Sequence, residues 1–164
     1  MTPPVPPLPP VPPLPPRLHH IAVQTADLAN SVAWYEEYFG CRPTWSTDAF
    51  SPLTRSRLPG IVVMAEVEAE GMRFHLFEYA DCDGRRLPPD RPQFQHVCLV
   101  ATSSADLRER RRHWLAVRDS GRFVFAHDEE PTEVVVDDDG VESFYFLDVN
   151  GLEFEFTHVP EGPA

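Results

Sequence analysis

The chain repeats one order of elements, and that repetition constrains its fold more than any single motif. LHHIAV (18–23) alternates like a strand, and DLANSVAWYEEYFG (27–40) follows with helical spacing. Asp27 is placed to cap that helix and Gly40 to close it, and Leu28, Val32 and Tyr35 share one face. IVVMAEVEA (61–69) and MRFHLFEYA (72–80) read as strands paired around Glu70–Gly71. The order then returns. FQHVCLV (94–100) is a strand, SSADLRERRRHWLAVRDSG (103–121) a helix with a serine cap and a closing glycine, and RFVFAH, ESFYFLD and LEFEFTH supply later strands. EEPTEVVVDDDG is less regular, and its acidic end reads as a turn. Two units of about 65 residues, each one helix against a short sheet, indicate an internal duplication. The expected class is α+β, with modules at 18–80 and 94–158, a polar linker at 81–93 and a tail at 159–164.

The first 17 residues stand outside this scheme. TPPVPPLPPVPPLPPR is low in complexity and rich in proline, which excludes helix and sheet and favours a stiff or disordered polyproline II leader. The rest of the composition excludes classes of function. A formal charge of −12 disfavours nucleic acid and anionic membranes as partners, and the basic run RERRRH at 108–113 reads as a solvated helix face. Cys41, Cys82 and Cys98 are odd in number and widely spaced, so neither a disulfide framework nor a zinc knuckle is expected. With neither a membrane-length apolar run nor the build of a signal peptide, the expected location is cytoplasmic.

Strand phase identifies candidate site residues. Successive side chains in a strand point to opposite faces. Ile21 and Val23 oppose His20; Phe74 and Leu76 oppose His75, Phe77 and Tyr79; Val97 and Leu99 oppose His96 and Cys98; Phe154 and Phe156 oppose Glu155. Each of the four strands thus pairs an apolar face with one metal-capable residue. His20 to His75 spans 55 positions and His96 to Glu155 spans 59, the spacing of corresponding strands in two repeats. His19, His113, His127 and His158 carry no such phase and are read as structural or exposed.

The stretches HIAVQTADLANSVAWYEEYFG, GMRFHLFEYA, QHVCLV with SSADL, and FYFLDVNGLEFEF resemble the vicinal oxygen chelate superfamily, over roughly residues 18 to 158. That group contains glyoxalases, epimerases, extradiol dioxygenases and bleomycin and fosfomycin resistance proteins. The resemblance implies two tandem βαβββ modules forming a curled sheet around a metal-binding cavity, with one ligand from the first and last strand of each module. Those places fall on His20, His75, His96 and Glu155. In the DVNG turn Val149 replaces the proline usual in the family, and His75 stands where glyoxalase-like members usually carry glutamate. Glu78 cannot substitute, because it lies in the opposite strand phase.

Three neutral imidazoles and a carboxylate suit one divalent ion, Fe, Zn, Ni, Co or Mn, at a net charge near +1. The expected function is a lyase- or isomerase-like enzyme that binds vicinal substrate oxygens bidentately and stabilises an enolate-type intermediate, with Glu155 as catalytic base. Without a second glutamate, two-base epimerisation is disfavoured. An extradiol-type Fe(II) dioxygenase using His20, His96 and Glu155 is the alternative, and a non-catalytic sequestering protein the third reading. Phe77, Tyr79, Cys98 and Tyr145 are the expected substrate-binding walls, and Arg55, Arg57 and Arg122 are candidates for an anionic substituent. The expected partners are a small-molecule substrate and a second copy in a homodimer.

Overall fold

The computed structural model describes residues 18–82 and 94–160. The proline-rich leader, most of the linker and the end of the tail lie outside the described residues. Within them the fold is α+β, built from two four-stranded mixed sheets with helices, and neither sheet closes into a barrel.

The first sheet is assembled from β1 (Ile21–Thr25), α1 (Leu28–Phe39), β2 (Arg42–Thr47), α2 (Pro52–Arg57), β3 (Ile61–Ala69) and β4 (Met72–Tyr79). Its strand order is β1-β4-β3-β2, with β1 parallel to β4 and the other pairs antiparallel. The second sheet repeats the plan with β5 (Val97–Val100), α3 (Ser104–Asp119), β6 (Val135–Val136), β7 (Glu142–Leu147) and β8 (Glu153–His158), in the order β5-β8-β7-β6.

Local chemistry explains most of these boundaries. Asp27 accepts the Asn30 N–H at 2.9 Å at the start of α1, and Gly40 ends the helix at φ 69°. Ser103 caps α3 through the Asp106 N–H at 3.0 Å. Glu70 (φ 46°) and Gly71 (φ 83°) form a two-residue left-handed turn, the geometry that suits the twist of a hairpin. That turn sets the β3–β4 register, pairing Ala69 with Met72, Glu68 with Arg73 and Glu66 with His75.

The sequence reading needs three corrections. RFVFAH forms no strand: Phe123 and Phe125 pack on the core, but the Asn30 side chain satisfies both the N–H and the carbonyl of Val124. The strand β2 was not visible, because it is exposed along most of its length and irregular between Pro43 and Trp45. Nor was α2, a six-residue helix with no buried residue.

One core serves both halves. α1 packs on β3 and β4, α3 packs on β7 and β8, and the two helices touch. Phe39, at the end of α1, meets Phe74 of the first sheet and Phe146, Phe154 and Phe156 of the second. Phe74 and Leu76 of β4 and Phe154 and Phe156 of β8 all join this cluster. By alternation, the opposite phases of both sheets face away from it.

Candidate metal centre

Those outward phases carry the candidate ligands. In the first sheet Ala22 pairs with His75, and His20 stands two residues before Ala22. In the second sheet Cys98 pairs with Glu155, and His96 stands two residues before Cys98. The two pairs therefore occupy equivalent register positions. They form two separate clusters, one on each sheet.

On the first sheet, the His20 and His75 rings stack at 3.7 Å between centroids. His19 joins them, with its Nδ1 2.9 Å from His20 Nδ1. Donor atoms of His19, His20 and His75 all lie within 4.8 Å of one another, and no other such group of three occurs among the described residues. Alternation sets His19 in the apolar phase of Ile21 and Val23, opposite His20, but residues 18–20 precede β1 and need not keep its period. Burial, together with the neighbouring His75 and His19, pushes the His20 pKa down, favouring the neutral imidazole whose lone pair binds metal.

Glu66 is the other residue that sequence reasoning missed. Its carboxylate accepts from His75 Nε2 at 2.8 Å and from the Thr44 hydroxyl at 2.6 Å, with Arg73 Nε at 3.4 Å. It is only 6% exposed. The Thr44 hydrogen bond, opposed by burial and reinforced by His75 and Arg73, holds its pKa below the ordinary glutamate value. An ionised Glu66 requires the hydrogen on His75 Nε2, which leaves Nδ1 as the lone-pair nitrogen. Counting back from the Glu70–Gly71 turn would have placed Glu66 opposite His75. Glu78 is spent elsewhere, as the sequence phase requires: it accepts the Leu28 N–H at 2.8 Å, at the start of α1.

On the second sheet, His96 Nε2 lies 3.2 Å from Glu155 Oε2. Burial works to raise the Glu155 pKa, but hydrogen bonds from Ser143, Cys98 and Tyr145 and the nearby His96 outweigh it and hold the carboxyl below its usual value. The same neighbourhood pushes the Cys98 thiol up to about 11, through burial first and Glu155 second. Tyr145 packs edge-on to His96 at 5.6 Å and is also raised, by burial and then Glu155. Cys98 and Tyr145 thus surround the second pair, and Phe77 and Tyr79 flank the first.

Beside His20 opens a cavity of ≈ 380 Å³. The β1 segment from Ala22 to Gln24 and the rings of Phe77 and Tyr79 form its floor, and Leu53, Thr54, Arg57 and Leu58 from α2 and its C-terminal end form the opposite wall. Its volume lies within the roughly 300–1,000 Å³ of small-molecule sites. The donor set suits a divalent ion of intermediate softness. Nitrogen ligands stand about 2.0–2.1 Å from such an ion, so the donors gathered within 4.8 Å are near enough to share it once the stacked His20 and His75 rings turn to bring their lone pairs together.

Fold and site together define a duplicated α+β protein with two open sheets, which place His20 with His75 and His96 with Glu155 at equivalent register positions. The chain belongs to the Glyoxalase/Bleomycin resistance protein/Dioxygenase superfamily, whose profile matches residues 17–156. Its fold is shared with a glyoxylase/bleomycin resistance protein/dioxygenase domain from Frankia sp. EAN1pec, at TM-score 0.68 and 16% identity, covering 92% of this chain and 96% of that one. A lactoylglutathione lyase from Agrobacterium tumefaciens matches at TM-score 0.56 and 17% identity, over 88% and 94% of the two chains. The fosfomycin resistance protein FosX from Listeria monocytogenes, in complex with Mn(II) and sulfate, matches at TM-score 0.56 and 14% identity, over 90% and 95%. No curated protein matches the chain.

Proposed function

We propose that the protein is a metal-dependent enzyme of the lyase or isomerase kind, acting on a small substrate with neighbouring oxygens. The observation that carries this reading is the equivalent register of His20 with His75 and of His96 with Glu155. His20, His75, His96 and Glu155 would hold one divalent ion, which supplies Lewis acidity toward two substrate oxygens. Glu155 is ionised at neutral pH and accepts the substrate proton, and Cys98 and Tyr145 fix its orientation. Glu66 holds the His75 ring in one tautomer and direction, as a carboxylate behind a ligating histidine does. Phe77 and Tyr79 exclude water from the substrate's apolar part.

The two half-sets lie on outward faces of separate sheets, so a second copy of the chain is the natural source of the missing half. A homodimer placing the first sheet of one chain against the second sheet of the other would unite His20 and His75 with His96 and Glu155. Trp45 at 44% exposure and Val100 at 73% give those faces apolar area for such contact. The location proposed is the cytoplasm, in keeping with the acidic composition and unpaired cysteines.

Metal analysis of protein purified without added metal tests the reading, with light scattering for the dimer. The expected result is about one equivalent of divalent metal per site, lost in His75→Ala with the fold retained. Below about 0.2 equivalents, with no ion restoring tight binding, both enzymatic readings fail and sequestration of a small molecule remains. Stoichiometric iron with substrate-dependent oxygen uptake would instead identify a dioxygenase.

A further inference from the structure

The two halves of the fold differ in the connection that follows the second strand of each sheet. Between β6 and β7 the chain makes a tight turn at residues 137–140, where the Gly140 N–H reaches the Asp137 carbonyl at 3.1 Å. Between β2 and β3 the corresponding connection carries α2. Ser51 caps α2 and Pro52 starts it, yet no residue of α2 is buried. The helix therefore contributes nothing to the core. What it does is complete the cavity beside His20, with Leu53 and Leu58 facing the floor that holds Phe77 and Tyr79.

The α2 wall also carries Arg57, the one permanently charged residue among the described residues that line the cavity. In this acidic chain arginines are normally paired: Arg73 and every arginine of α3, as well as Arg122, meet a carboxylate. Among the described residues Arg42, Arg55 and Arg57 have no such partner, and of these three Arg57 is the one that lines the cavity. Its place in the last turn suits the helix dipole, but Arg55 in the same turn serves that role equally and sits over Phe50 instead. A guanidinium without a carboxylate, on the rim of a cavity with aromatic and aliphatic walls, is a receptor for an anion.

We infer that the cavity under α2 selects substrates carrying a carboxylate-type anion, bound by Arg57, on a flat apolar body that lies between Phe77, Tyr79, Leu53 and Leu58. The anion and the reacting oxygens sit at opposite ends of that body. The inference rests on the proposed function only for which end reacts, the oxygens lying toward His20; the anion site itself needs no metal.

The test uses the full chain and two probes of nearly equal shape, 3,4-dihydroxybenzoate and 3,4-dihydroxybenzamide. Each offers adjacent oxygens at one end of a ring, and only the first has an anion at the other. Calorimetric titration is run on metal-free and Zn(II)-loaded protein. The acid should bind about tenfold more tightly than the amide, as a charge-assisted hydrogen bond implies. Arg57→Gln should erase that preference while leaving the amide's affinity within about twofold, and Arg57→Lys should keep part of it. Equal binding of acid and amide, a preference that survives Arg57→Gln, or no binding of either probe at millimolar concentration would each overturn the inference. Failure of Zn(II) to bind while the metal-free chain keeps an Arg57-dependent preference would sink the proposed function alone.

Discussion

Glu66 is the residue on which the behaviour of His75 depends. A histidine opposite an ionised carboxylate loses its choice of tautomer, and with it the freedom to present either nitrogen. Glu66→Gln keeps the size of the side chain and its hydrogen-bonding capacity but removes the charge. Affinity for Zn(II), read by calorimetry, should fall about tenfold. Stability should change much less, because Thr44 and His75 still find a partner. Glu66→Leu leaves the buried His75 ring without its acceptor, while Thr44 keeps the Glu66 backbone carbonyl at 3.3 Å, and should cost about 1–3 kcal/mol in urea denaturation. A folded carboxyl held below its unfolded pKa stabilises at neutral pH, and that contribution is lost as pH falls through the depressed folded value. The stability gap between the wild type and Glu66→Gln should therefore narrow below about pH 4. Unchanged Zn(II) affinity in both variants would make Glu66 a packing residue only.

At the scale of elements, the DVNG turn shows how a short motif carries more constraint than its letters suggest. Asp148 is fully buried; it accepts the backbone N–H groups of Asn150 at 2.9 Å and Leu152 at 2.8 Å, and the Tyr35 hydroxyl at 3.0 Å. The turn is thereby tied to α1 of the other half. Gly151 closes it at φ +83°, and a Cβ there would collide with the His127 imidazole. Gly151→Ala should then lower stability by about 2 kcal/mol, combining left-handed strain with overpacking. Gly121→Ala isolates the first contribution, since Gly121 has φ +66° and open space around it, and should cost about 1 kcal/mol. Chemical denaturation of the two variants measures both, and equal losses would mean that His127 simply moves aside. The same scale explains what the sequence disclosed. The caps at Asp27, Gly40 and Ser103 and the period of β4 and β8 are local signals and were legible. RFVFAH has the alternation of a strand, but alternation records only which side chains are buried. The Asn30 side chain, not a neighbouring strand, satisfies its backbone at Val124. β2 and α2 bury too little to leave a pattern.

For the whole molecule, strand phase sets the apolar residues of β4 and β8 toward the core but cannot say which outward faces meet. His75 and Glu155 lie within β4 and β8, and His20 and His96 just before β1 and β5, whereas their division between two sheets depends on contacts far apart in sequence. The apolar phases are what join the halves, and Phe39 is the residue common to both. Its ring centroid lies 5.8 Å from Phe74 and 5.4 Å from Phe154, so it spans the seam between the sheets. Truncating a large aromatic in such a place removes contacts on both sides and leaves a cavity that neither sheet can fill alone. Phe39→Ala should lower the free energy of unfolding by roughly 3 kcal/mol. Because the core is shared, the loss should appear as one cooperative transition with a lower midpoint, coincident by near- and far-ultraviolet circular dichroism. Two separated transitions in the wild type would show instead that each half is stable by itself and that the aromatic seam adds little.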